Sequence, residues 1–156
     1  MDERDIAIVT ALQGDARLTN RQLAVRAGLA PSSTLARHRA LEQAGVLAGY
    51  HADVDLARYG RGVQALIGFQ VRPLSRDVIQ RFKTYALHQP EVLAVYVLAG
   101  GDDFLVHVAV PNVTLMHSLL VDKFSSRKEV VGFRTSLIYE HTQNRSIGPG
   151  IPLDQA

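Results

Sequence analysis

Five arginines and no acid lie between Ala16 and Leu41: Arg17, Arg21, Arg26, Arg37 and Arg39. The whole chain of 156 residues has a formal net charge of only +2, so this cationic character is local. A local cationic surface is the footprint expected for phosphate contacts to nucleic acid. Guanidinium groups donate in bidentate fashion to guanine, and serine hydroxyls donate to phosphate or to base edges. Arg21, Ser32, Ser33, Arg37 and Arg39 are therefore the candidate DNA-contacting residues, with Arg37 as the base reader. The competing reading is a solvated helix pair with an ordinary arginine excess, because short motifs of this kind are common.

A second constellation is Gly100-Gly101-Asp102-Asp103. Backbone N–H groups of a Gly-Gly turn can hold a carboxylate, and an aspartate accepts from an ammonium group. Together they would read an amino-acid zwitterion. Glycine and aspartate are also the ordinary residues of a hairpin turn, so the residues alone favour a plain turn. No catalytic constellation is visible. The six histidines (His38, His51, His88, His107, His117, His141) lack the i,i+4 pairing of metal sites, and there is no cysteine to supply a thiolate. No metal or other cofactor is expected. His38 and His107 read as partly buried neutral residues rather than ligands.

The elements that position these groups follow from pattern and caps. Asp2 to Leu12 reads as a first helix, with acids at its start and Ile6, Ile8, Val9 and Leu12 on an apolar side. A second helix starts near Thr19 or Asn20, buries Leu23, Ala24 and Ala27, and stops at Gly28 in the left-handed conformation. Pro31 suits the first turn of a third helix that runs to about Ala44 and stops at Gly45. Two helices joined by a short glycine-containing turn form a helix-turn-helix, whose second helix enters the major groove of DNA. On that third helix Thr34, Leu35, His38 and Leu41 fall inward. Ser33, Ala36, Arg37 and Ala40 fall outward, flanked by Ser32 and Arg39.

Residues 50–58 alternate Val54 and Leu56 with Asp53 and Asp55, as in a strand that links two domains. Beyond it the order is β-α-β-β-α-β: strands at 63–71, 92–99, 104–110 and 130–139, and helices starting at Ser75 and near Asn112. This is the ferredoxin-like arrangement, an antiparallel sheet with two helices on one face. Strands apolar at both parities predict that the other face is covered too, by a second copy of the sheet in a homodimer. The fold class is thus α+β: a helix-turn-helix domain (1–49), a linker strand (50–62), a ferredoxin-like βαββαβ domain (63–141) and a flexible tail (142–156). No apolar run approaches the roughly 20 residues of a membrane-spanning helix. The polar, acidic start argues against a secretory signal, and the absence of cysteine fits the cytoplasm.

The chain resembles the Lrp/AsnC (feast/famine) family of prokaryotic transcription regulators over almost its whole length, to about residue 141. The resemblance is carried by Asp5, Leu12-Gln13, Asp15 and Arg17; by Asn20, Leu23 and Ala24; by Gly28-Leu29-Ala30-Pro31-Ser32-Ser33; and by Leu35, Arg37, Arg39, Leu41-Glu42, Gly45, Gly49-Tyr50 and the hairpin before Phe104. It implies a winged-type helix-turn-helix joined to an effector-binding domain, with dimers assembling into tetramers, octamers or higher forms. It also implies a small-molecule effector, an amino acid or a related metabolite, held near the hairpin between the second and third strands. The matching positions are Leu98, Ala99, Gly100, Gly101, Asp102 and Asp103, with Thr135, Ser136 and Leu137 of the fourth strand. Three positions depart from the family pattern. Ala30 stands where a capping serine is usual, a change worth about 1 kcal/mol; His38 replaces a small aliphatic; and Gly101 replaces the first hairpin aspartate.

The reading that follows is a transcription regulator whose partners are double-stranded DNA, a small-molecule effector and further copies of itself, and which is not an enzyme. The alternative is a small-molecule-binding regulatory or assembly module without DNA binding.

Overall fold

A computed structural model describes residues 1–150 and divides the chain into two compact units, Met1–Asp53 with the segment from Thr142 onward, and Val54–His141. The tail expected over 142–156 is described only to residue 150.

The first unit contains three helices, α1 (Glu3–Gly14), α2 (Asn20–Ala27) and α3 (Pro31–Gln43). The starts of α1 and α2 are written in caps. Asp2 accepts from the N–H groups of Arg4 and Asp5, and Asp5 accepts from that of Asp2; Thr19 and Gln22 form the same reciprocal box on α2. Each box satisfies backbone donors that a helix start leaves open. Gly28 ends α2 with φ of 63°, a conformation that glycine adopts without penalty. At α3 the cap position is Ala30, with no side-chain bond, and Pro31 begins the helix. Ile8, Leu12, Leu23, Ala27 and Leu41 form the small core of this unit, with Leu47 packed on its edge.

The predicted strand over 50–58 does not form; no strand precedes Val63 among the described residues. The segment is irregular and closes in a turn, with Asp55 O accepting from Tyr59 N–H and Leu56 O from Arg61 N–H, and Gly60 at φ 81°. The alternation that suggested a strand had no neighbouring strand to pair with, and Val54 is exposed.

The second unit is the expected β-α-β-β-α-β chain: β1 (Val63–Val71), α4 (Arg76–Leu87), β2 (Val92–Val97), β3 (Phe104–Val110), α5 (Val113–Ser118) and β4 (Val130–Leu137). α5 runs on as a π-helix over Leu119–Ser125. The sheet order is β2-β3-β1-β4, all neighbours antiparallel. Ala65, Ile67, Phe69 and Val71 of β1 and Phe104, Val106, Val108 and Val110 of β3 point to the helices and are fully buried. There Phe82 meets Phe104 at 4.4 Å between ring centroids and Phe69 meets Phe124 at 4.8 Å, tilted arrangements that add to the burial of the rings. The opposite face of β1 carries Gln64, Leu66, Gly68 and Gln70, so it is mixed rather than apolar throughout. Leu115 of α5 is exposed, while Met116 beside it is buried.

Candidate DNA-reading face and sensor loop

The turn between α2 and α3 is held from α1. Arg4 donates to Ala27 O at 2.7 Å, beneath Gly28. Arg37 of α3 reaches back to the same turn of α1, 2.8 Å from Asp2 and 2.7 Å from Asp5. Asp2 is held below its ordinary value, first by the Asp5 N–H and also by Arg37, and Arg37 is raised by hydrogen bonds to Asp5 and Asp2. The base reader expected from sequence is therefore a half-buried group engaged by two carboxylates.

This rotates α3 by about a quarter turn from the expected orientation, at 100° per residue. Thr34 and Leu41 are the buried residues of α3, while Leu35, expected inward, is exposed. Thr34 tolerates burial because its hydroxyl donates to Ala30 O at 3.1 Å. The outward face is centred on Ser32, Ala36, Arg39 and Gln43, with Ser33 beside it, and all five are exposed. Arg21 is exposed on α2, next to Arg26. Sequence periodicity placed Arg39 and Ser32 on the flank; the structure makes them the centre and moves Arg37 to the flank.

His38 sits on the other flank. Its Nε2 is 2.5 Å from the Tyr50 hydroxyl, which donates to Glu42 at 2.9 Å. Burial, with Glu42 accepting the hydrogen bond, pushes the Tyr50 hydroxyl up to about 12, so this phenol keeps its proton. The histidine that departs from the family pattern thus links α3 to the segment that leaves it.

In the second unit the loop Leu98–Asp103 joins β2 to β3, closed by Leu98 N–H donating to Asp103 O at 2.9 Å. Neither Gly100 nor Gly101 has positive φ. The two aspartates have different surroundings. Asp103 accepts from Val71 N–H at 2.8 Å and pairs with Arg72 at 3.0 Å. It fastens the loop to the end of β1. Asp102 is 8% exposed, and its Oδ2 has no hydrogen-bond partner although Arg134 of β4 is 2.6 Å away. Gln70 donates to Gly101 O at 2.8 Å.

Asp102 lies against Gly68, and Gly68 pairs with Arg134 across β1 and β4. Arg134 and Ser136 belong to the helix-free face of the sheet. Thr135 and Leu137 pair with the buried Ile67 and Ala65 and so have the opposite parity. The expected fourth-strand residues are therefore split: Ser136 shares a face with Asp102, and Thr135 and Leu137 do not. Gly68, Gln70 and Arg134 were missed; Arg134, one residue before the expected stretch, needed the strand register to be found. On the same face His107 bonds Gln64 at 3.0 Å, and the His141 ring lies 6.0 Å away.

A family model described as Lrp/AsnC ligand binding domain matches residues 64–147, and one described as winged helix-turn-helix DNA-binding matches residues 1–48. The chain is 38% identical over 146 residues to the HTH-type transcriptional regulator AldR of Mycolicibacterium smegmatis, covering 94% of this chain and 85% of AldR. It is 30% identical over 155 residues to the transcriptional regulator AzlB of Bacillus subtilis, covering 99% and 97%. A solved Neisseria meningitidis transcriptional regulator in complex with L-Met superposes with a TM-score of 0.86 at 28% identity, covering 99% and 98%.

Proposed function

The chain belongs to the Lrp/AsnC family of DNA-binding transcription regulators, and from that premise we propose which face reads DNA, what the loop senses and how copies assemble. The observation that carries the DNA reading is the outward face of α3. Ser32, Ser33 and Arg39 are exposed there, and the nearby carboxylates of Asp2 and Asp5 are engaged with Arg37. Arg39 with the two serines reads base edges and phosphates, and Arg21 contacts the backbone from α2. Arg37 acts by fixing α3 and reaches DNA only from the flank.

A salt titration tests this. Arg39→Ala should weaken binding and reduce the slope of log K against log salt by about 1 if it meets phosphate, or relax sequence preference if it meets a base. Unchanged affinity and slope would overturn the assignment.

The effector we propose is an amino acid, at Leu98–Asp103 with Ser136 and the neighbouring Thr135 and Leu137. Asp102 and Arg134, ion-paired with each other at 2.6 Å, offer a carboxylate to an ammonium group and a cation to a carboxylate. A relative was solved with L-Met, which supports the ligand class. A thermal-shift screen of amino acids tests it; no shift with any of them would reject the class.

Assembly begins as a homodimer through the helix-free sheet face, where Leu66, Tyr96 and Leu105 stand among polar groups, and extends to tetramers or octamers. Sizing with and without each hit tests this. A regulator of this kind works in the cytoplasm with the DNA it binds.

A further inference from the structure

The polypeptide leaves the helical unit after Asp53 and returns to it at Thr142. The returning segment is tied down. Gln13, at the end of α1, donates to Ile147 O at 3.1 Å and accepts from Ile147 N–H at 2.6 Å. One amide side chain thus satisfies both peptide groups of one residue, as a neighbouring strand would. Arg145 forms an ion pair with Asp53, the last residue before the chain departs. The outgoing and incoming segments are therefore clasped to each other.

The returning segment is not packed by its side chains. Ile147 is 67% exposed, and Gln143 and Arg145 line an open cleft of about 710 Å³ beside Leu12–Arg17 and Gly49–Asp53. What holds it is directional and polar.

We propose that residues 142–150 are a return strap, a second anchorage of the ligand-binding unit on the DNA-reading unit through Gln13 and Asp53. A unit joined at one point swivels about a single backbone. Two clasped joints restrict that swivel, and in a dimer this limits the separation of the two reading helices. Gln13, Asp53 and Arg145 are then positioning residues: they touch no DNA and act on how two copies bind together. The inference rests on the DNA-reading dimer proposed above.

The test uses the full-length chain and DNA fragments it selects from a random pool, carrying either one half-site or two. Ile147→Pro removes the N–H that meets Gln13; Ile147→Ala keeps it. Asp53→Arg and Arg145→Asp each break the clasp, and the double exchange restores opposite charges. With a hydrogen bond or ion pair worth about 1 kcal/mol, Ile147→Pro and each single exchange should lower the two-site advantage by roughly threefold to tenfold. One-site affinity should not change, and Ile147→Ala and the double exchange should match the parent. Equal losses on one-site and two-site DNA would overturn the strap, as would an unchanged two-site advantage.

Hydrogen exchange of the peptide containing residues 144–150 is the arm that needs no DNA. Protection in the parent, lost in Ile147→Pro and kept in Ile147→Ala, supports the strap; equal exchange in all three rejects it. A chain that selects no sequence while keeping this protection would reject the DNA reading and leave the anchorage standing.

Discussion

The carboxylate of Asp102 lies where the side chain of residue 68 would begin: a Cβ on Gly68 would fall 2.7 Å from Asp102 Cγ. The glycine in the middle of β1 is a seat for the loop, and it brings a nearly buried acid onto the helix-free face of the sheet. Gly68→Ala must displace that acid and should cost about 1–3 kcal/mol in urea unfolding. Gly68→Ala with Asp102→Gly should recover most of the loss, because the clash then has no second partner.

Asp103, by contrast, serves the loop itself. Asp103→Ala leaves Val71 N–H without its acceptor and Arg72 without its carboxylate, at a cost of about 1–3 kcal/mol. Asp103→Asn keeps an acceptor for Val71 and should cost less. Amino-acid binding should respond more to Asp102→Asn than to Asp103→Asn, a ranking that calorimetry with a thermal-shift hit will measure.

Arg37→Ala should act first on stability. It leaves Asp2 and Asp5 facing each other without their cation and loosens α3 from α1. The sign with pH follows from Asp2, whose folded value lies below its ordinary 3.8. Its contribution is complete above that ordinary value and is lost as pH falls through the lower folded one. Thermal melting from pH 7 to 2 should show a parent advantage over Arg37→Ala that shrinks in this acidic range. Arg39→Ala, at an exposed site without an ion pair among the described residues, should melt within about 0.5 kcal/mol of the parent.

His107 titrates in the opposite part of the scale. Burial, and then His141 nearby, hold it below its ordinary 6.5, so the neutral ring is the folded form. The unfolded chain takes up the proton first as pH falls. Stability from this residue is therefore full above pH 6.5 and declines below it, through the folded value. The groups it meets are Gln64 of β1 and His141, neither of them an acid. His107→Gln should flatten the melting profile between pH 7 and 5.

Much of this was legible in the residues. Thr19, Gly28 and Pro31 each fix a helix end through backbone chemistry that needs no tertiary partner, and they fall where expected. Val63–Val71 and Phe104–Val110 are long apolar runs bounded by proline, and both form strands. The failures came from partners distant in sequence. Leu35 looked inward by composition, but the groove that α3 fills is set by Arg37 meeting Asp2 and Asp5. The alternation at 53–56 was local and found no neighbour. In the sensor loop the residue types were visible, yet the division of work between Asp102 and Asp103 depends on Gly68 and Val71, which only the sheet register brings near. In the tail, the hydrogen bonds of Gln13 to Ile147 and the pairing of Arg145 with Asp53 likewise join residues too far apart in sequence for local patterns to reveal.

The return of the chain to its starting unit has a practical side for anyone building hybrid regulators. Grafting a different sensor onto these helices at a single junction near Asp53 would discard Arg145 and Ile147 and leave Gln13 without its peptide. A hybrid that keeps the native output should instead be spliced twice, with the foreign sensor inserted as a cassette between residues 53 and 142.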